Sequence, residues 1–358
     1  MTESDPLAVI AAEPPAFSDA DAIAIVQEHW GLVAAVKSLV SERDQNFRVR
    51  TDDGRECVLK IANAAEDPLV TDFQVRALVH IASRVRAAGI PIRTPVVLPA
   101  SGGELSVVIR GDGGCHVTRL VTFLPGVPLA DREPSARLAR RMGAYLAHLG
   151  RALHGFSHPG SHQSLLWDLQ QAPRLRELIR YVRDPATATA VSAVLDEFEQ
   201  LAMPVLPTLR SQVVHSDMNP DNVLVSADDP DTVAGVIDFG DMLYAPLIAD
   251  VAIGCSYVRV SGGDPLALIA EFVAGYHDVM PLERAELDIL FELIQARLCA
   301  SITIIDRRSA LKEGDDPYLD KLMTGEGSAH RFLARLREVP RERARRAFIQ
   351  VCASAGQP

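Results

Sequence analysis

Residues 213–244, VVHSDMNPDNVLVSADDPDTVAGVIDFGDMLY, decide the reading of this chain. They carry His215-Ser-Asp217, then Asn222 five residues after the aspartate, then Asp238-Phe-Gly240. Two short apolar runs, Val223–Val225 and Val233–Ile237, flank the polar, turn-rich segment 226–232. That pattern predicts a β-hairpin with Asn222 at one base and Asp238 at the other, and Asp217 on the loop that enters it. Three oxygen-bearing side chains gathered at one point suit phosphoryl transfer with a divalent metal. A carboxylate orients the attacking hydroxyl, while an amide and a second carboxylate hold the cation that neutralises phosphate charge.

Upstream, the sequence predicts a small antiparallel sheet. Strands are expected at 34–40, 46–51 and 56–62, with Asp52-Asp53-Gly54 turning the second into the third. Val58, Lys60 and Ala62 share one face of the third strand, and a lysine among apolar strand residues is costly to bury without an anion. Ser18 starts a helix ending at Gly31. A second helix is expected over 69–88, closed by Gly89 and Pro91. Further strands fit 94–100, 104–110 and 116–123, the last breaking at Leu124-Pro-Gly126. Beyond the break, helices are expected over 133–154, 165–169, 186–201, 245–258, 265–279, 282–306, 329–338 and 341–353, with a charged loop over 307–324. The shift from sheet to helix divides the chain into an N-terminal lobe, 1–124, with a loose arm over 1–16, and a helical lobe, 125–358.

The remaining totals narrow the function. The chain has 358 residues and a formal net charge of −11, which argues against a nucleic-acid partner and suits a small cationic one. Five scattered cysteines without a CxxC pair point away from disulfides and zinc. No apolar run reaches spanning length, and the cytoplasm is the expected compartment. His154, His158 and His162 stand at i, i+4 and i+8, but Pro159 and Gly160 break any helix that would align them for a metal.

H-x-D-x-x-x-x-N, the hairpin, D-F-G and an upstream strand lysine together match the working parts of a kinase. The sequence resembles the aminoglycoside phosphotransferase and choline-kinase-like family of small-molecule kinases. Within it, SERDQNFRV, DGRECVLKIAN, HSDMNPDNVLV and VIDFGDM look most like hydroxylysine kinases. The resemblance implies an α+β, protein-kinase-like two-lobe fold. It implies that a nucleotide γ-phosphate, from ATP or GTP, passes to a hydroxyl of an amine or amino acid, with Mg²⁺ as cofactor. Asp217 would then be the catalytic carboxylate, and Asn222 and Asp238 the metal ligands. Lys60 would reach the nucleotide, with Gln45 and Asn46 in the phosphate-covering loop and Thr122 and Leu124 at the hinge. Gln74 stands where the family carries a glutamate that pairs with the lysine; Glu66 is the other candidate partner. Asp241, Asp168 and Trp167 would meet the acceptor, while His215 and Asp250 support the loop. Aminoglycoside, choline-like and homoserine-like acceptors are alternatives inside the class. A pseudokinase that binds without transfer is the alternative outside it, suggested by Gln74 and the glycine-free loop.

Overall fold

Alternating burial along the first strands explains why they assemble as one sheet. In the computed structural model, which describes residues 14–41, 43–111, 114–130, 133–311, 322–325 and 327–354, two compact units are resolved. They are Met1–Pro125 with Phe156–Ser164, and Gly126–Gly155 with Leu165–Pro358. Most of the expected N-terminal arm, and most of the expected charged loop, lie outside the described residues.

The first unit begins with α1 (Asp19–Trp30), where Ser18 and Asp21 form a reciprocal cap and Gly31 closes the helix at φ +65°. Strands β1 (Ala34–Leu39), β2 (Gln45–Thr51) and β3 (Glu56–Ile61) follow as antiparallel neighbours. After α2 (Pro68–Ala88) come β4 (Val97–Leu98), β5 (Val107–Gly111) and β6 (Gly114–Thr122). β6 is the hub, pairing with β3, β4 and β5. Cys57, Leu59 and Ile61 of β3 point into a core with Ala22, Val26 and Trp30 of α1 and Leu120 of β6. Lys60 therefore lies on the face away from that core, because successive strand side chains alternate. The segment Phe156–Ser164 packs on α2: Phe156 stacks on Phe73 at 6.0 Å, and the His158 ring lies 3.0 Å from Asp72.

The second unit holds β7 (Val127–Pro128), α3 (Ala136–Leu153), α4 (Pro185–Glu197) and β8 (Ser211–Val214). The hairpin is β9 (Val223–Val225) and β10 (Val233–Val236), antiparallel, with a bulge between Val233 and Gly235. β7 lies along the other edge of β9, and β11 (Leu243–Pro246) pairs with β8. β7, β8 and β11 are additions to the sequence-based expectation, which gave Ala245 and Pro246 to a helix. The helix begins instead at Leu247, as α5 (Leu247–Cys255), followed by α6 (Ala267–Val279), α7 (Arg284–Leu311), α8 (Ala329–Arg337) and α9 (Arg341–Ser354). Arg307–Leu311, expected as loop, continues α7. The stretch Leu169–Tyr181 is a 3₁₀ helix.

Two glycines set how closely α3 and α6 pack. A Cβ at Gly143 would strike the Phe272 carbonyl oxygen, and one at Gly275 would strike that of Arg140. α7 is buried on nearly every side, so its polar residues Glu292, Gln295, Arg297 and Thr303 sit in the interior. Among the described residues no helix is long and apolar enough to cross a membrane.

Candidate active site

The loop between β8 and β9 is built around a buried acid, Asp250, and a half-buried one, Asp217. Asp250, on α5, accepts from the backbone N–H of Ser216 at 2.8 Å and of His215 at 3.2 Å. Those bonds clamp Ser216 in the left-handed region, φ +66°, which costs a non-glycine residue on the order of 1–2 kcal/mol. Burial pushes the Asp250 carboxyl up to about 6, and the two backbone donors oppose it. His215 is fully buried and packs edge-on against Phe239 at 4.8 Å. Burial lowers its pKa, which keeps the ring neutral while its Nδ1 accepts from the Asp217 N–H at 3.3 Å.

The turn that follows aims amide nitrogens at Asp217. Asn219 Nδ2 donates to both carboxylate oxygens at 3.0 Å. Asn222 Nδ2 donates to Asp217 Oδ2 at 2.7 Å and to its carbonyl oxygen at 3.0 Å. Asn222 is held in place because Ile237 N–H donates to its carbonyl at 2.9 Å, which ties the two bases of the hairpin together. Asp238, next along, adopts φ +58°, and its Oδ1 accepts from Gly240 N–H at 3.1 Å. Burial pushes the Asp217 carboxyl up to about 7; Asp241 adds to the rise, Arg297 opposes it, and Asp238 adds again. The hairpin thus brings Asp217 and Asn222 into direct contact, with Asp238 and Asp241 close enough for their charges to be felt.

Two residues here were not expected from the sequence. Asn219 is one; its signal was the Asx-rich run MNPDN, read only for Asn222. Arg297 is the other. Its Nη2 lies 3.8 Å from Asp217 Oδ1, and its guanidinium sits 5.6 Å from the Trp167 ring centroid. Trp167 is therefore partnered with this arginine. Asp168 caps the Leu169–Tyr181 helix by accepting from Gln170 N–H at 2.9 Å, and burial raises its pKa.

In the first unit, Asn46, Lys60 and Arg119 stand directly opposite one another on β2, β3 and β6. Arg119 is 3% exposed; its Nη2 donates to Gln74 Oε1 of α2 at 2.7 Å and reaches Asp44 Oδ2 at 3.4 Å. Gln74 thus holds Arg119, a residue the sequence reading did not single out. Among the described residues, Asn46 Oδ1 has no donor and Arg119 Nη1 no acceptor, and both atoms are buried. The Gln45 amide is engaged at both ends by the Phe17 backbone, at 2.8 Å each. Thr122 exchanges bonds with Val96: its N–H donates to the Val96 carbonyl at 2.9 Å and its Oγ1 accepts from Val96 N–H at 3.0 Å. Leu124 follows the end of β6 and is half-buried.

The residues at the hairpin base suit a hard cation. Both amide protons of Asn222 that point inward are spent on Asp217, which leaves its Oδ1 as a neutral oxygen donor beside the Asp238 carboxylate. Among the described residues no group of three or more His, Cys, Asp or Glu is arranged to hold a metal. An amide and a carboxylate are too few for a closed cage and enough for Mg²⁺, which usually keeps waters and substrate phosphates in its shell.

Comparison with known proteins gives a consistent answer. Residues 36–288 match the sequence model of a family described as "Phosphotransferase enzyme family". A hydroxylysine kinase of Danio rerio is 29% identical over 349 residues, covering 94% of this chain and 96% of that protein. A hydroxylysine kinase of Bos taurus is 30% identical, covering 85% of this chain and 86% of its own. The solved structure of a microcompartment-associated aminopropanol kinase superposes with a TM-score of 0.66 at 15% identity, over 95% of this chain and 99% of that one.

Proposed function

This chain belongs to the phosphotransferase enzyme family and transfers phosphate to a hydroxyl group, and we propose that its acceptor is a small hydroxylated amino acid of the hydroxylysine type. The observation that carries this is the setting of Asp217. Its carboxylate is oriented by two amides and raised by burial toward the pH at which it can take a proton. The near full-length similarity to hydroxylysine kinases supports the choice of acceptor.

In this reading Asp217 accepts the acceptor's O–H proton as the oxygen attacks the terminal phosphorus. The new O–P bond forms as the bond to the nucleotide's bridging oxygen breaks, and the nucleoside diphosphate leaves with those electrons. No covalent intermediate is needed, so the chain contributes position and charge. Asn219 and Asn222 keep the carboxylate from rotating. Asn222 Oδ1 and Asp238 would hold Mg²⁺, which when bound neutralises phosphate charge. Lys60 and Asn46, with Thr122 and Leu124 at the end of their sheet's central strand, are the proposed nucleotide contacts. Either ATP or GTP is the donor. The five cysteines are free, which fits a reducing cytoplasmic setting.

The test is nucleoside-diphosphate release from ATP and from GTP across a panel of hydroxylated amino acids, amino alcohols and aminoglycosides. Release that depends on a hydroxylated amino acid supports the reading. Release with aminoglycosides alone would sink it.

A further inference from the structure

We propose that Arg297, with Arg259 beside it, is the anchor for the acceptor's carboxylate, which makes the substrate class amino acids and not carboxylate-free amines. The proposal rests on Asp217 being the group that receives the hydroxyl.

Arg297 is carried into the interior by α7 and is 3% exposed. Its Nη2 donates to the Tyr257 hydroxyl at 3.0 Å. Its Nε and Nη1 are buried and have no acceptor among the described residues. The charged group paired with it is Asp217, at 3.8 Å, beyond hydrogen-bond length and itself held by two asparagines. A buried guanidinium with open donors is destabilising unless something completes it.

A second cation lies alongside. Arg259 donates from Nε to the Ser256 carbonyl and from Nη1 to the Gly327 carbonyl, each at 2.7 Å, and both of these acceptors are uncharged. Burial, with the repulsion of Arg297 added, brings its guanidinium down to about 10. The two guanidinium groups stand 5.6 Å and 5.2 Å from the Tyr257 ring centroid, and Trp167 closes on Arg297. Two neighbouring positive charges, one of them buried, therefore face a single carboxylate, which stands 3.8 Å from Arg297. A ligand carboxylate supplies the missing negative charge, and arginine is the side chain best shaped to receive that planar group. Because Arg297 also neighbours Asp217, a molecule anchored there by its carboxylate has its side-chain hydroxyl within reach of Asp217. Aminoglycosides and amino alcohols lack the group this corner requires.

The experiment compares 5-hydroxylysine with its decarboxylated counterpart, 1,5-diaminopentan-2-ol, using the full chain, Mg²⁺ and the better nucleotide. The expected wild-type result is a preference of roughly 100-fold in kcat/KM for the amino acid, expressed mainly in KM. Arg297→Gln should collapse that preference, lowering kcat/KM for 5-hydroxylysine at least about 30-fold more than for the diamine. A loss that is equal on both acceptors would mean that the guanidinium serves Asp217 or the moving phosphate, and would overturn the proposal. Equal use of both acceptors by the wild type would also overturn it while leaving phosphoryl transfer intact. Transfer to neither would overturn the functional reading beneath it. If Arg297→Gln fails to fold, the wild-type comparison still decides, and Arg259→Lys provides the second variant.

Discussion

Replacing Asp250 by asparagine separates what a buried charge does for stability from what it does for the loop. The carboxylate accepts two backbone N–H bonds, from His215 and Ser216. Asparagine keeps one acceptor and turns an amide nitrogen toward the other donor, a loss of about 1–3 kcal/mol. Against that, the wild-type carboxyl is raised from 3.8 to about 6. A carboxyl whose folded pKa lies above its unfolded value binds more protons when folded between those two values. Its stability contribution is therefore highest below the unfolded pKa and falls as pH rises through the folded one. The full difference corresponds to roughly 3 kcal/mol, and linkage places about 2 kcal/mol of it between pH 4.5 and pH 7. Asparagine does not titrate, so the variant should gain about 2 kcal/mol relative to wild type between pH 4.5 and pH 7. Urea unfolding of both proteins at the two pH values reads the difference directly. Turnover should fall at both, because Ser216 loses part of the clamp that holds φ +66° beside Asp217. A stability difference that is independent of pH, or a variant that loses stability relative to wild type as pH rises, would refute the argument.

Other expectations follow from the same geometry. Gly143→Ala should lower stability by about 3 kcal/mol or more, since its methyl would strike backbone of α6; a Tm within a degree of wild type would contradict it. Gln74→Ala removes the acceptor of a buried arginine and should cost about 1–3 kcal/mol while raising KM for the nucleotide, read by thermal melting and initial rates. Lys60→Met should weaken nucleotide affinity without altering the fold, checked by titration calorimetry and circular dichroism. Asp217→Asn should lower kcat by about 10²–10⁴ with nucleotide binding retained; unchanged turnover would remove Asp217 from the chemistry.

Much of this arrangement was legible because short-range patterns carry it. The hairpin at 223–236 is written in two valine-rich runs around an Asp- and Pro-rich turn, and α1 is written in its cap. Contacts between distant positions were not legible. β8 and β7 are too short to announce themselves, and each exists because a partner strand elsewhere accepts its hydrogen bonds. Gln45 reads as a free loop amide until Phe17 is seen to occupy both its ends. Arg297 is the clearest case. α7 is buried on nearly every face, so it has no amphipathic stripe against which one internal arginine would stand out.

In the proposed function, Asp217 directs a nucleotide's terminal phosphate onto the hydroxyl of an amino acid. The most direct measurement is ³¹P NMR of the products formed from 5-hydroxylysine, Mg²⁺ and ATP or GTP, with wild type and Asp217→Asn in parallel. Wild type should give a phosphomonoester on the side-chain oxygen, and the variant at most about a hundredth as much in the same time. Inorganic phosphate without phosphorylated amino acid, or equal product from both proteins, would contradict it.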